Sequence, residues 1–268
     1  MTAVVVAAFV VALAAAARST WSPCGLSMLS SITPIGERGR GHRFRATAAW
    51  FIAGGILGGA TLGAALAGLA AVVGALHPSL PAVLAVGSVV AAAGAAVDLG
   101  IAGVHIPVLR RQVNELWLDR FRTWVYGGGF GWQIGVGFAT YVMTAAVAVT
   151  CGLAALTGRP LVAFGVGLAF GTFRGLTVLL GARVTTPDRL REAFRGLEAL
   201  RRPAWFAVRS VQLGTAGGLA LLAAWPASAA VAAGVGVVVA AATAAGQVRV
   251  AAVTGDRPAA AARDLATM

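Results

Sequence analysis

The sequence predicts an all-α integral membrane protein of about seven transmembrane helices. Six form an inverted three-plus-three repeat with broken first and fourth helices, and one C-terminal helix is appended. Three observations carry this expectation. Of 268 residues, 59% are apolar and only 11% charged, against roughly 25% charged in a soluble domain. Apolar runs long enough to cross a hydrocarbon core about 30 Å thick recur along the chain. Basic and nearly uncharged connections alternate between those runs.

The runs occupy residues 2–34, 46–76, 82–107, 124–156, 160–182, 204–224 and 227–247. Arg38, Arg40, Arg43 and Arg45 follow the first run, and Arg110, Arg111, Arg120 and Arg122 follow the third. Seven more arginines, from Arg183 to Arg209, follow the fifth, and Arg249, Arg257 and Arg263 lie in the tail. The intervening connections, around His77, Arg159 and Pro226, are almost uncharged. This positive-inside pattern predicts a multi-pass protein of the plasma membrane with its N-terminus outside and its C-terminus cytoplasmic. It also accounts for the net charge of +12 without a nucleic-acid partner. The lipid bilayer is the partner that the composition requires, and anionic lipid suits the basic face.

Residues 1–20 resemble a secretory leader but lack a basic n-region, so they are expected to remain as a span. From Thr186, Leu190, Phe194, Leu197 and Leu200 recur at helical spacing among arginines, which predicts an amphipathic helix at the cytoplasmic interface. The expected organisation is a first three-helix repeat over 1–107, a cytoplasmic connection over 108–123, and a second, inverted repeat over 124–224 that includes the amphipathic segment 184–203. An extra helix over 225–247 and a tail over 248–268 complete it.

The repeat is read from three collinear matches. Gly55, Gly59 and Gly63 recur 112 residues later as Gly167, Gly171 and Gly175. Val97-Asp98-Leu99-Gly100 recurs after 114 residues as Val211-Gln212-Leu213-Gly214, and Trp21 after 111 as Trp132. A unit with an odd number of spans must be inverted in its second copy, which is a transporter architecture. The glycine stripes are expected to pack helix backbones closely.

Two spans look broken. Ser22-Pro23-Cys24-Gly25 interrupts the first, because proline lacks a backbone donor and clashes with the preceding turn. The glycine-rich stretch Gly127–Gly137, with Trp132, Gln133 and Gly135, is expected to interrupt the fourth. Paired breaks in corresponding positions point to a midplane site for a small solute or ion. Asp98 is the acid expected inside a span, with His105 two turns on and Gln212 as its repeat mate. Arg174 is expected either to pair with Asp98, to bind an anion, or to snorkel to the inner surface. Arg18 faces an anion or the outer interface, and His42 and His77 fall in solvated connections. No metal-ligand spacing, cofactor motif or nucleophile triad occurs, so a carrier is expected rather than an enzyme.

The segment Trp21-Ser22-Pro23-Cys24-Gly25 resembles the Ser-Pro-Cys segment of the CcdA/DsbD family of transmembrane thiol-disulfide proteins, associated with cytochrome c biogenesis. Gly131, Trp132 and Gly137 resemble that family's Gly-Trp-Thr-Pro-Cys-x-Gly element in the fourth span. The resemblance implies the inverted repeat fold, a cysteine pair drawn from the two broken helices, and a thioredoxin-like partner. Here Cys24 is present, but Gly135 stands where the second cysteine belongs. Cys151 lies 16 residues further, about 24 Å along a continuous helix, while a disulfide needs Cα atoms within about 7 Å. Three functions therefore stand: a solute carrier with Ser22, Pro23, Cys24, Asp98, Trp132, Gln133, Gly135, Arg174 and Gln212 at its site; a thiol-linked carrier of reducing equivalents using Cys24; and a structural membrane subunit.

Overall fold

A computed structural model describes residues 1–101, 116–139 and 142–224. The described chain is helical. Helix α1 (Thr2–Arg18) runs into a 3-10 turn, Ser19–Trp21, followed by α2 (Pro23–Ser31) and α3 (Pro34–Gly39). Helices α4 (Phe44–Ala75) and α5 (Leu80–Leu99) complete the first half. The second half contains α6 (Trp117–Arg120), α7 (Thr123–Val136), α8 (Ala146–Leu156), α9 (Pro160–Leu176) and α10 (Pro187–Ala224).

Five helical stretches are long and apolar enough to cross a membrane: Thr2–Trp21, Phe44–Ala75, Leu80–Leu99, Pro160–Gly181 and Pro187–Ala224. Their outward faces carry Leu57, Val72, Val89, Leu161 and Leu221, all well exposed in the isolated chain. Such faces fit contact with lipid, and the chain is a multi-pass membrane protein. The expected seventh span, 227–247, the tail and His105 lie outside the described residues.

The first break forms as two helices rather than a kink in one. Ser22 is extended, its side chain accepts from Gly25 N at 3.1 Å, and Pro23 occupies the first turn of α2, where its missing N–H costs nothing. Thr33 and Pro34 start α3 in the same way.

The fourth span is broken as expected, but only at the last residue of the glycine-rich stretch, because α7 is helical through Val136. The interruption begins at Gly137, whose φ of 81° suits glycine, and α8 resumes at Ala146. The amphipathic segment 184–203 runs into the sixth span without a break in the helix. α10 continues from Pro187 through Pro203 to Ala224, with Leu190, Phe194 and Leu197 half-buried and Leu200 exposed.

The glycines explain why α7 stays helical. Helix α4 is wedged between α9 and α7, and it presents a separate glycine face to each. Towards α9, a Cβ on Gly55 would lie 2.7 Å from Gly175 Cα, one on Gly59 2.9 Å from Gly171 Cα, and one on Gly167 2.5 Å from Gly63 Cα. Contact numbers that fall on one helix as they rise on the other mean that α4 and α9 are antiparallel. Towards α7, a Cβ on Gly131 would strike the Phe51 carbonyl, one on Gly135 the Gly55 carbonyl, and one on Gly54 the Gly128 carbonyl. Here the numbers rise together, so α4 and α7 are parallel. In lipid no hydrophobic force drives helices together, and small residues that let backbones meet supply the packing instead.

Buried side chains form two clusters. One joins α1, α5, α8, α9 and α10 with Leu62, Leu66 and Ala70 of α4. The other joins Cys24, Met28 and Ile32 to Phe51, Tyr126, Phe130 and Ile134.

Gly171→Val would drive two methyl groups into the Gly59 backbone, which has no rotamer with which to yield. It is expected to destabilise the detergent-solubilised protein by about 3 kcal/mol. Gly68→Ala, on the same helix α4 but with nothing within 4 Å of the added carbon, is expected to leave the melting temperature unchanged or raise it. Thermal melts of the two variants check the contrast.

Candidate functional site

Asp98 sits one residue before the C-terminus of α5, which ends on Gly100 in the left-handed conformation. Its carboxylate joins three elements. Oδ1 accepts from Ala145 N at 2.8 Å, while Oδ2 accepts from the Thr144 hydroxyl and from Gln212 Nε2, the latter at 2.8 Å. Thr144 and Ala145 end the interruption of the fourth span, so Asp98 caps the first turn of α8 from a different helix. A carboxylate is favoured there because the amide dipoles point their positive end at it. Gln212 is fully buried. Ser88 adds a second tie between α5 and α10 by donating to the Ala216 carbonyl at 2.8 Å.

Of the three readings of Arg174, pairing with Asp98 finds no ion pair among the described residues, and other charges lie nearer the carboxylate. Arg18, at the end of α1, and Arg209, one turn before Gln212 on α10, lie within electrostatic reach of the carboxylate. Both are largely buried, at 7% and 8% exposure. Arg209 stacks on the Trp205 ring. Arg18 Nη1, Arg209 Nε and Gln212 Oε1 are buried with no hydrogen-bond partner among the described residues. Two guanidinium groups thus lie near one carboxylate without an ion-pair contact to it, leaving open donors and an excess of positive charge among the described residues.

Arg174 lies elsewhere. It is 2% exposed on α9 and lies beside the first break, next to Thr20, Gly25 and Met28. Ser22, Pro23 and Cys24 accompany it at the first break. Cys24 is 1% exposed and packs in the cluster with Phe51 and Tyr126, whereas Cys151 on α8 packs against the other cluster. No disulfide joins them. Gly135 cannot stand in for a cysteine either, because any side chain there would enter the Gly55 backbone. Trp132 is 39% exposed and donates to the Thr61 hydroxyl at 3.1 Å. Gln133 is half-buried beside it on α7. The expected site residues therefore divide among Asp98 with Gln212, the Ser22–Arg174 neighbourhood, and the α4–α7 interface.

A fully buried carboxylate was missed by the sequence reading. Glu37, fully buried on α3, accepts from Arg40 Nη2 at 2.7 Å, from the Tyr126 hydroxyl at 2.7 Å and from the Thr47 hydroxyl. His42, expected to be solvated, has Nδ1 3.1 Å from the same Tyr126 hydroxyl and 3.9 Å from Glu37. The acid stands among five basic residues of one short connection, and that crowding was its available signal. His77 is exposed, as expected.

The chain is 35% identical over 176 residues to the methylamine utilization protein MauF of Paracoccus denitrificans, covering 63% of this chain and 61% of that protein. It is 33% identical over 142 residues to MauF of Methylophilus methylotrophus, covering 52% and 50%. Against MauF of Methylobacillus flagellatus it is 35% identical over 153 residues, covering 56% and 53%. The chain thus spans between half and two thirds of the length of these curated relatives. No protein-family profile matches it, and no solved structure does.

Asp98→Ala leaves the Ala145 amide, the Thr144 hydroxyl and Gln212 Nε2 without their acceptor. It is expected to cost about 3 kcal/mol. Asp98→Asn keeps an acceptor for Ala145 N and is expected to cost about 1 kcal/mol. Chemical denaturation of the two variants in detergent measures the difference. Equal effects would mean that Asp98 does not cap α8.

Proposed function

We propose that the chain is a membrane accessory protein of methylamine utilization that moves a small anionic solute by alternating access. Its site lies between Arg18, Asp98, Arg209 and Gln212, at the interruption of the fourth span. The accessory role comes from the relatives named MauF. The carrier role rests on one observation above the others: Asp98 and Gln212, repeat mates in the sequence, hydrogen-bond to each other, and Asp98 also accepts from Thr144 and Ala145 at the start of α8.

The glycine contacts support the inverted repeat behind this reading. Exchanging each residue for its mate 112 positions away turns the Gly55–Gly175 contact into Gly167–Gly63 and returns Gly59–Gly171 to itself. Contacts that map onto themselves in this way suit a two-fold axis in the membrane plane, passing between Gly59 and Gly171. The excess of guanidinium over carboxylate favours an anion. The proposed orientation keeps the N-terminus outside, from the arginine distribution.

Thiol exchange of the CcdA/DsbD kind is the second reading, favoured by Cys24 at the start of α2 beside Arg174. It needs a partner thiol from outside this chain's described core, because position 135 has no room for one and Cys151 packs elsewhere.

Deleting the gene in its native host and restoring it as variants separates the readings. Deletion is expected to impair growth on methylamine, and the wild type and Cys24→Ser to restore it. Arg209→Gln is expected to lower methylamine-dependent growth and solute uptake by about tenfold, the loss of one charge-assisted bond. Failure of Cys24→Ser with full activity of Arg209→Gln would select the thiol reading. Normal growth of the deletion strain would remove the methylamine role.

A further inference from the structure

A groove opens on the arginine-rich side of the molecule, between the start of α4 and the turn that joins α9 to α10. Its volume is about 670 Å³, and Pro34, Arg43, Phe44, Arg45, Ala182 and Thr185 line it. Small-ligand sites run from about 300 to 1,000 Å³. Arg43 and Arg45 are exposed there, and among the described residues neither forms an ion pair. No described acid lines the groove. The neighbouring carboxylate in the sequence, Glu37, is buried and taken up by Arg40, Tyr126 and Thr47. The positive charge of the groove is therefore unanswered from within the described chain.

The depth of the groove follows from the helix beside it. The apolar stretch Pro160–Gly181 has 22 residues, a rise of about 33 Å, which matches a hydrocarbon core about 30 Å thick. Ala182 and Thr185 come directly after it, so the groove sits at the depth of lipid headgroups. Just before them on the same stretch, Leu179 and Leu180 are 48% and 57% exposed, an apolar surface against which acyl chains can lie. The start of α4 adds to the charge. Arg43 supplies no side-chain acceptor to cap this 32-residue helix, so its positive end is left uncapped where Phe44 and Arg45 line the groove.

We propose that the groove binds one anionic phospholipid, with its phosphate between Arg43 and Arg45 and its acyl chains running back along Leu179 and Leu180. Guanidinium groups make charge-assisted hydrogen bonds to phosphate oxygens, and basic pockets between spans on the positive side of a membrane hold anionic headgroups. A zwitterionic lipid brings its own cation into the same field and gains less. The site is separate from the one around Asp98 and stands whether or not the chain carries a solute there.

The test uses the purified full chain in a neutral detergent, melted with increasing phosphatidylglycerol or phosphatidylcholine in the micelles. Phosphatidylglycerol is expected to raise the melting temperature along a one-site curve, while phosphatidylcholine and free glycerol phosphate leave it unchanged. In the double variant Arg43→Gln with Arg45→Gln, the phosphatidylglycerol concentration at half the rise is expected to increase about thirtyfold, the loss of two arginines at a charged headgroup. A control variant, Arg189→Gln with Arg195→Gln on the exposed face of α10, is expected to keep the wild-type curve. Should the groove variant fail to fold, native mass spectrometry of the wild type from mixed micelles is expected to retain one phosphatidylglycerol per chain in preference to phosphatidylcholine. Equal effects of the two lipids, a rise reproduced by glycerol phosphate alone, a loss in the control variant as large as in the groove variant, or retention of neither lipid in preference to the other would each overturn the proposal.

Discussion

The rest of the molecule depends on how closely α4 approaches two neighbours at once. Adjacent glycines in the sequence Gly54-Gly55 and Gly58-Gly59 place small residues on two faces of one helix, about 100° apart. One face meets α9 and the other meets α7. At such separations Cα hydrogens lie against carbonyl oxygens, and a single methyl group on either helix would force the backbones apart. Lipid competes equally well for any apolar surface, so this steric fit supplies specificity that hydrophobicity cannot.

The consequence reaches the candidate site. Because Gly127, Gly131 and Gly135 are committed to α4, α7 keeps its helical backbone to Val136, and the span's irregularity is displaced beyond it. The chain then turns at Gly137 and restarts at Ala146, where its exposed amide and hydroxyl donors are taken by Asp98. A packing requirement on one face thereby brings the acid of α5 against the start of α8. The same commitment excludes a cysteine from position 135, so the likeness to thiol-disulfide proteins fails at that residue for a steric reason.

The five long apolar helices, the proline break and the glycine stripe on α9 were legible in the sequence, because each leaves a local mark in hydropathy or spacing. The partner of Asp98 was legible in part. Gln212 was marked as its repeat mate and placed at the same site, though not as its hydrogen-bond partner, and Thr144 was not marked, since a hydroxyl in an apolar run carries no signal of its own. Arg174 was left open among pairing with Asp98, binding an anion and snorkelling, because spacing along helices says nothing of rotation about them. Arg209 was counted with the basic connection, although Gln212 lies one turn away on the same face. The second glycine face of α4 was readable in the doublets, which a search for a single stripe passes over. Glu37 was hidden by its setting, since an acid among arginines in a connection is ordinarily solvated, and only Tyr126 and Thr47 brought from distant sequence bury it.

The antiparallel crossing of α4 and α9 is the central claim, and the side of the membrane reached by their ends tests it most directly. Gly74 and Gly158 are in contact at one end of the pair, and Ile35 bonds to the Val184 carbonyl near the other. Labelling of intact cells with a membrane-impermeant maleimide is expected to modify His77→Cys and Arg159→Cys. Arg45→Cys and Arg183→Cys are expected to react only after the membrane is opened. Labelling of His77→Cys and Arg159→Cys from opposite faces would contradict the crossing and, with it, the inverted arrangement built upon it.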